Sequence, residues 1–317
     1  MLISTQSSFW YDDRDADGSI ARFKSWGFDA MDFNFDEKFE VSDLEREEPS
    51  YFEVDDEVLF EMHRPLREAC LRYGVRVIQM HAPFPSWIDG REDVNRRMLT
   101  VCEKCLALCQ YLDCPDLIIH PVTIIDEKER EFQTSLELYR ALIPVAKRYG
   151  VRICIENMAG RKQGVIAPTG CYEAEEACRC IDLLNEEAGE ELFGFCFDVG
   201  HANLYNMDPG AFIRTMGSRL KTLHLHDNDG IKDFHTIPYN HYIRDWSKAS
   251  DAEANYGVIP RINWDSMVEA LKDVGYTGAL NFETYTATVA YPKEVQPEVM
   301  RLISAIGRYW AGRIQNG

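Results

Sequence analysis

The sequence contains no long apolar run, and it has few basic residues relative to acidic ones. Nothing approaches the about 18 consecutive apolar residues that indicate a membrane-spanning helix, so no membrane segment is predicted. The chain has 34 lysines and arginines against 53 aspartates and glutamates, which gives a formal charge of −19. Binding to nucleic acid depends on clustered basic side chains, and none are visible, so nucleic acid is not expected as a partner.

The 10 cysteines could suggest disulfides, but a chain of this size does not need them for stability. Cys102, Cys105 and Cys109 lie at helical spacing in VCEKCLALC, but no second pair follows at zinc spacing. A redox-active or zinc-binding CxxC is the alternative to our interpretation, in which they are small apolar residues on a buried helix face. The N-terminal MLISTQSSFWYDD has no basic region or cleavage pattern, so no signal peptide is predicted. These features predict a protein of the reducing cytoplasm.

What the sequence does contain is an alternation of short apolar runs with helical patterns. The runs lie at 2–8, 28–35, 75–84, 116–122, 151–158, 192–201, 220–228 and 278–285, and the helical patterns at 18–26, 55–73, 92–112, 128–149, 173–187, 209–217, 263–274 and 294–311. Several helical patterns end in Tyr-Gly or Val-Gly, a typical helix stop. Eight strands alternating with eight helices predict an α/β fold of the (β/α)8 TIM barrel type, with residues 1–317 as a single domain.

A doubly wound open sheet is the alternative architecture. An open sheet does not require eight strands, as a closed barrel does, and no GxGxxG motif follows the first strand. Both observations disfavour this architecture. The longest irregular segments, 36–54 and 229–262, are predicted to be loops or lids, and the second is an extended loop after strand seven.

Metal-ligand side chains fall at the ends of the predicted strands, where barrel enzymes carry their chemistry. Six of the 8 histidines and two glutamates lie at or just beyond strand ends. With the accompanying aspartates, the set is His81, His120, Glu156, Asp198, His201, His224, His226, Asp233, His235 and Glu283. Each residue taken alone could have a structural role instead of binding a metal. For example, Asp198 could cap a helix and His120 could belong to a turn before Pro121. Together they indicate a metal ion, because buried carboxylates require a compensating charge.

Glu156, Asp198, His224 and Glu283 are predicted to converge from strands five to eight on one divalent cation. This mixture of oxygen and nitrogen ligands suits Mn²⁺, Mg²⁺, Co²⁺ or Zn²⁺. A cation held mainly by carboxylates can accept two neighbouring oxygens of a hydroxy-ketone and ease removal of the proton beside the carbonyl, through an enediolate. Glu156 and Glu283 are then the predicted catalytic base and acid, on opposite sides of the substrate.

The remaining polar residues at the strand ends are predicted to contact the substrate or to support the cation site. They are His81, His120, His201, His226, Asp233 and His235. His226 follows His224 by two residues, so both point to the same side of a strand, and we interpret His226 as a non-ligand. His63, in a helical pattern, and His241, in the long loop, are interpreted as structural, with a lid as the alternative for His241.

Ordered segments of the chain resemble the sugar phosphate isomerase/epimerase superfamily between about residues 75 and 285. The segments are HAPF, IIHP, ICIEN, FCFDVGHANL, LKTLHLHDNDG, DFHTIP and INWDSMVEALKDVGYTGALNFE. These xylose-isomerase-like barrels include ketose epimerases, inosose dehydratases, hydroxypyruvate isomerases and the endonuclease IV family. The resemblance implies that Glu156, Asp198, His224 and Glu283 are the shared metal ligands, with Mn²⁺ as the expected ion. It also implies that Glu156 and Glu283 are the acid/base pair of an isomerase or epimerase acting on a keto sugar or related polyol.

The same resemblance leaves several alternatives. Lyases of the superfamily begin with the same proton removal and then eliminate water, or cleave a 3-keto C-glycoside with the help of a small partner subunit. The endonuclease IV branch binds three metals through nine ligands, and His81, His120, Glu156, Asp198, His201, His224, Asp233, His235 and Glu283 match all of them. The charge of −19 disfavours such a phosphodiesterase. A non-catalytic scaffold barrel is disfavoured by the complete ligand set.

The segment 239–256, YNHYIRDWSKASDAEANY, departs from the superfamily pattern. It intervenes between HTIP and the expected G-x-I-x-W segment, which is GVIPRINW in this chain. This aromatic and polar insertion is predicted to fold over the pocket or to form a subunit contact, so a homo-oligomer is a further expectation.

Overall fold

A computed structural model describes residues 1–35, 38–46, 50–240 and 262–316. The strands in these ranges are β1 Ile3–Gln6, β2 Ala30–Phe33, β3 Arg76–His81, β4 Asp116–Ile118, β5 Arg152–Glu156, β6 Gly160–Lys162, β7 Val165–Ala167, β8 Phe193–Asp198, β9 Leu220–His224 and β10 Leu280–Phe282. The α-helices are α1 Ala16–Ser25, α2 Asp56–Tyr73, α3 Glu92–Tyr111, α4 Lys128–Tyr149, α5 Ala174–Ala188, α6 Val199–Leu204, α7 Pro209–Met216, α8 Trp264–Asp273, α9 Tyr285–Ala290 and α10 Gln296–Asn316. Short 3-10 helices lie at Asp13–Asp15, Val41–Glu45 and Gly217–Arg219.

Eight of the strands form one parallel sheet in the order β10, β1, β2, β3, β4, β5, β8, β9. The two outer strands meet at their carboxyl-terminal ends. The backbone N–H of Leu225 donates to the carbonyl of Asn281 at 2.9 Å, and the N–H of Glu283 donates to the carbonyl of Leu225 at 3.1 Å. These bonds bring the sheet near closure, and the predicted TIM barrel is confirmed.

The helices cover the outside of the barrel through their apolar faces, as the helical spacing predicts. Cys102, Cys105 and Cys109 are completely buried on α3, and all ten cysteines are free thiols. Burial raises the pKa of the Cys102 thiol to about 12, so this thiol is unreactive at neutral pH. The structural interpretation of the CxxC sequence is therefore correct. No helix in the described ranges is both long and apolar enough to cross a membrane.

The strands are shorter than the apolar runs that predict them. The run at 116–122 yields only β4, which ends at Ile118, and Pro121 further along the run has no N–H with which to continue a sheet. His120 consequently lies beyond the strand rather than at its end. The antiparallel hairpin of β6 and β7 and the short helices α6 and α9 are not predicted from the sequence.

The two long irregular segments are only partly described. The first contains the 3-10 helix Val41–Glu45. In the second, Thr236 forms an antiparallel bridge with Asp227, which precedes the segment, and the Tyr239 hydroxyl accepts a hydrogen bond from the Trp310 indole at 2.7 Å. The rest of the 239–256 insertion, with His241, lies outside the described residues, and its predicted role stays a prediction.

His63, on α2, is a buried histidine whose two ring nitrogens contact groups nearby in the sequence. Its Nδ1 lies 2.8 Å from the Leu59 carbonyl and its Nε2 lies 3.2 Å from the Tyr51 hydroxyl. A neutral ring suits both contacts, with Nδ1–H donating and Nε2 accepting. Burial lowers the pKa of His63 to about 4. This agrees with the structural role predicted for His63.

We expect His63→Gln to reduce the dependence of stability on pH. The pKa of His63 is lower in the folded protein than in the unfolded chain, so its contribution is present above pH 6.5 and is lost as the pH falls towards 4. Between pH 7.5 and 5, His63 should account for about 2 kcal/mol of the fall in the free energy of unfolding. Urea unfolding of both proteins at the two pH values measures this difference, and equal falls would contradict it.

Candidate metal centre

The four proposed metal ligands come together at one end of the barrel. The Nδ1 atom of His224 lies 3.2 Å from Glu156 Oε1, 3.5 Å from Glu283 Oε2 and 3.9 Å from Asp198 Oδ2. Two ligand atoms bonded to the same ion at 2.0–2.2 Å lie about 3.0–3.6 Å apart, depending on its geometry. The spacing of these side chains therefore suits an ion placed among them.

The unpaired polar atoms of this cluster also fit a cation. Within the described chain, Glu156 Oε2 and His224 Nδ1 are buried atoms without a partner in hydrogen-bond geometry. Such atoms are costly unless a further partner satisfies them. Carboxylate oxygens and an imidazole nitrogen suit Mn²⁺, Mg²⁺, Co²⁺ or Zn²⁺. The Cys196 thiol lies beside Glu156 and His224, but burial raises its pKa to about 12.

The barrel strands determine where these ligands lie. Asp198 pairs with His224 across β8 and β9, and Glu156 ends β5 opposite Cys196 of β8. Asn157 fixes the backbone of Asp198 from both sides. Its amide donates to the Asp198 carbonyl and accepts from the Asp198 N–H, each at 2.8 Å. Three of the ligands therefore occupy three neighbouring strands of the sheet.

Asp198 has a structural role as well. Its Oδ1 accepts a hydrogen bond from the His201 N–H at 2.6 Å, which caps α6. The same oxygen lies 3.1 Å from His226 Nε2. A side chain at Gly200 would place its Cβ 1.9 Å from the His226 ring, so only glycine permits this approach. Asp198 is thus held by a helix end and a neighbouring imidazole.

Glu156 is the electrostatic centre of the cluster. Burial opposes its ionisation, but His224, His120 and His81 hold its pKa well below the usual range. Burial likewise opposes a charge on His224, yet the carboxylates of Glu156 and Glu283 raise its pKa well above the ordinary value. Without an ion, the carboxylate is ionised and the proton resides on imidazole. An incoming cation would displace that proton.

A second group lies on the other side of Glu156. The Nε2 atoms of His120 and His81 lie 3.2 and 3.6 Å from Glu156 Oε2, and the two rings are 4.5 Å apart. Burial disfavours charge on His81, but Glu156 raises its pKa to about 9. Burial and the charge of His81 lower the pKa of His120 to about 4. The pair therefore carries one positive charge at neutral pH.

A third group surrounds Asp233. Its Oδ2 lies 3.1 Å from His201 Nε2 and 3.3 Å from His235 Nε2. The rings of His226 and His235 stack at 3.9 Å, and His235 Nδ1 lies 3.0 Å from the Glu283 carbonyl. Burial opposes ionisation of Asp233, but these histidines lower its pKa. All ten residues predicted from the strand ends thus lie in three adjoining groups.

The sequence analysis missed one buried carboxylate and the aromatic rim of the opening. Asp32 of β2 is fully buried, and its Oδ2 lies 3.2 Å from His224 Nε2. An aspartate inside the apolar run FDAMDFNF is the signal that could have indicated it. The site opens into a cavity of about 410 Å³. Phe9, Phe84, Met158 and Tyr285 line it together with four of the histidines and both glutamates, and the described lining has no lysine or arginine.

Comparison with known proteins agrees with this architecture. The model of the xylose isomerase-like TIM barrel family matches residues 20–306. The chain belongs to this family. It is 27% identical over 247 residues to the uncharacterized protein MJ1311 of Methanocaldococcus jannaschii, across 74% of this chain and 73% of that protein. The resemblance found in the sequence is thereby confirmed.

Two solved structures share the fold of this family member. A D-psicose 3-epimerase crystallised in the presence of D-fructose superposes with a TM-score of 0.68 at 16% identity, covering 98% of this chain and 100% of the other. A 3-keto-D-glucoside 4-epimerase from E. coli has a TM-score of 0.67 at 14% identity, covering 98% and 99%. At these identities the likeness establishes the fold alone.

We expect Glu156→Gln to remove most of the stabilisation that a divalent ion gives to the metal-free protein. An ion at a hundredfold excess over its Kd stabilises a folded protein by about 2.7 kcal/mol, and Glu156 is at the centre of the proposed site. Thermal unfolding with and without Mn²⁺, after chelation, measures the effect.

Glu131→Gln is the matched control. Glu131 is a buried glutamate outside the site that accepts from the Ile124 N–H at 2.6 Å and the Thr169 hydroxyl at 2.9 Å. This variant should keep the full response to Mn²⁺. An undiminished response in Glu156→Gln would contradict the assignment of Glu156 as a ligand.

Proposed function

We propose that this protein is a metal-dependent sugar isomerase or epimerase that acts on a keto sugar or related polyol. The observation that supports this most directly is the approach of Glu156, Asp198 and Glu283 to His224 Nδ1, at 3.2 to 3.9 Å. In the proposal these four residues bind one divalent ion, for which Mn²⁺ is our first choice. The ion would supply the positive charge that stabilises a negative substrate oxygen beside the carbon losing its proton.

Two glutamates at one site can divide the proton transfers between them. Glu156 is almost fully buried, whereas the Glu283 side chain is 15% exposed and lines the opening. In the proposal one of them removes the proton beside the carbonyl and the other returns a proton, to the neighbouring carbon in an isomerase or to the opposite face in an epimerase. His81, His120, His201 and His235, which also line the cavity, would orient substrate hydroxyls.

The charge of the cavity favours a substrate without phosphate. The described lining contains Glu156 and Glu283 but no lysine or arginine. Phosphate groups are normally bound by such side chains, or by backbone N–H groups at a helix N-terminus. A neutral sugar approaches an acidic protein of charge −19 without electrostatic penalty. The names of the structural neighbours, a D-psicose epimerase and a 3-keto-D-glucoside epimerase, are consistent with neutral sugars.

A lyase is the nearest alternative within the same chemistry. Removal of the proton beside a carbonyl, followed by loss of a substituent from the next carbon, would give dehydration or glycoside cleavage. The residues of the site would perform the same first step in either case. Product analysis with keto sugars and 3-keto glycosides distinguishes the outcomes.

A phosphodiesterase of the endonuclease IV kind is the second candidate, and one geometric observation favours it. His81, His120 and Glu156, and likewise His201, Asp233 and His235, each bring three ligand atoms within 4.8 Å of one another. Each group is suited to a further ion. The acidic charge and the lack of basic residues in the described lining weigh against a polyanionic substrate. Nicking of DNA at abasic sites would support this candidate instead.

The proposed function predicts exchange of a substrate proton with solvent. Turnover of a keto sugar in deuterated water should place deuterium on the carbon beside the carbonyl, because a side chain in exchange with solvent returns the proton. Glu283→Gln should lower turnover by roughly 10²–10⁴-fold, while Glu131→Gln should leave it unchanged. Mass spectrometry and proton NMR of the product measure the incorporation. A product free of deuterium would favour a hydride shift and exclude the two glutamates as base and acid.

A further inference from the structure

Asp32 is a buried carboxylate inside the barrel that contacts a proposed metal ligand. It lies on β2, and its side chain is within reach of three other strands. Its Oδ2 is 3.2 Å from His224 Nε2 of β9, and it accepts hydrogen bonds from Gln79 Nε2 of β3 at 3.0 Å and Asn281 Nδ2 of β10 at 3.2 Å. All three contacts of this carboxylate converge on one oxygen.

The contact with Asp32 gives the two ring nitrogens of His224 different surroundings. Nε2 faces Asp32, while Nδ1 faces Glu156 and Glu283. A neutral imidazole has one N–H and one lone pair, and a carboxylate only accepts hydrogen bonds. If His224 bound an ion, the contact with Asp32 would keep its proton on Nε2 and leave the lone pair of Nδ1 on the side of Glu156 and Glu283.

The environment of Asp32 is unusual for a residue that only fills the barrel interior. Among the described residues, its one ion-pair contact is with His224, and no lysine or arginine lies near enough to neutralise it. Its Oδ1 is buried without a hydrogen-bond partner. An apolar residue at this position would avoid the cost of burying the carboxylate, so the contact with His224 gives a reason for an acid here.

We propose that Asp32 is a positioning residue that orients His224, so that Nδ1 rather than Nε2 binds the ion. Gln79 and Asn281 hold the carboxylate in place for this contact. The proposal rests on the metal site of the proposed function, and it adds a residue from a strand on which the sequence analysis placed no site residue. Carboxylates that orient metal-binding histidines typically change metal affinity by 10–100-fold.

The test is the binding of Co²⁺ to the full chain, followed through the visible absorption of the ion. Asp32→Asn keeps the size of the side chain but weakens the acceptor. We expect its Kd for Co²⁺ to rise about 10–100-fold and its absorption spectrum to change, because the orientation of a ligand changes. Neither measurement depends on turnover.

Asp116→Asn is the matched control. Asp116 is also a buried carboxylate on a barrel strand, but it contacts Arg152 at 2.7 Å and begins β4 at the opposite end of the barrel. This variant should bind Co²⁺ with unchanged affinity and spectrum, even if its thermal stability falls. If Asp32→Asn behaves in the same way, Asp32 is a structural residue and the proposal is wrong.

A second variant covers the case in which Asp32→Asn does not fold. Gln79→Met removes one of the two amides that hold the Asp32 carboxylate, and it should weaken Co²⁺ binding in the same direction by a smaller factor. An unchanged Kd for Gln79→Met would then overturn the proposal.

Failure of the proposed function remains distinguishable from failure of this inference. If the unaltered protein binds Co²⁺ but turns over no keto sugar, the proposed function fails, while the variants still test Asp32. If it binds no Co²⁺, the metal site and the role of Asp32 both fall.

Discussion

The site depends on one buried carboxylate, Glu156, which is surrounded by four imidazole rings. The rings of His81, His120, His201 and His224 each place a nitrogen within 3.2 to 3.6 Å of its oxygens. Burial would otherwise drive this carboxyl towards its neutral form. The histidines reverse that tendency and keep it ionised. A metal ion bound here would supply part of the positive charge that balances the Glu156 carboxylate. Without the ion, protonated imidazole supplies that charge.

The barrel explains why a chain of this composition can build such a site. Parallel strands bring all their carboxyl ends to one rim, so side chains far apart in sequence become neighbours. Asp32 and His224 are 192 positions apart and lie in contact. The barrel can bury the polar residues of the site because each of them contacts an opposite charge or a hydrogen-bonding group. The acidic charge of the whole chain then favours a bound cation over an anion.

The fold was largely predictable because apolar runs and helical patterns report local structure. Helix α4, Lys128–Tyr149, has the bounds that its pattern predicts. The strand-end rule also identified the ten polar residues that the structure brings together. Asp32 lies inside an apolar run rather than at its end, so the strand-end rule did not include it, and its contact with His224 depends on the register between distant strands. The apolar run predicts that His120 ends a strand, but the strand ends earlier, at Ile118, since an apolar run does not show where sheet pairing stops.

In our proposal one ion binds among Glu156, Asp198, His224 and Glu283. Anomalous diffraction from crystals of the Mn²⁺-loaded protein tests it most directly. The account predicts that the strongest anomalous peak lies about 2.0–2.2 Å from a carboxylate oxygen of each acid and from Nδ1 of His224. A peak elsewhere, with these four side chains unligated, would contradict it. Three peaks of equal height, one in each group of histidines and acids, would instead favour the phosphodiesterase.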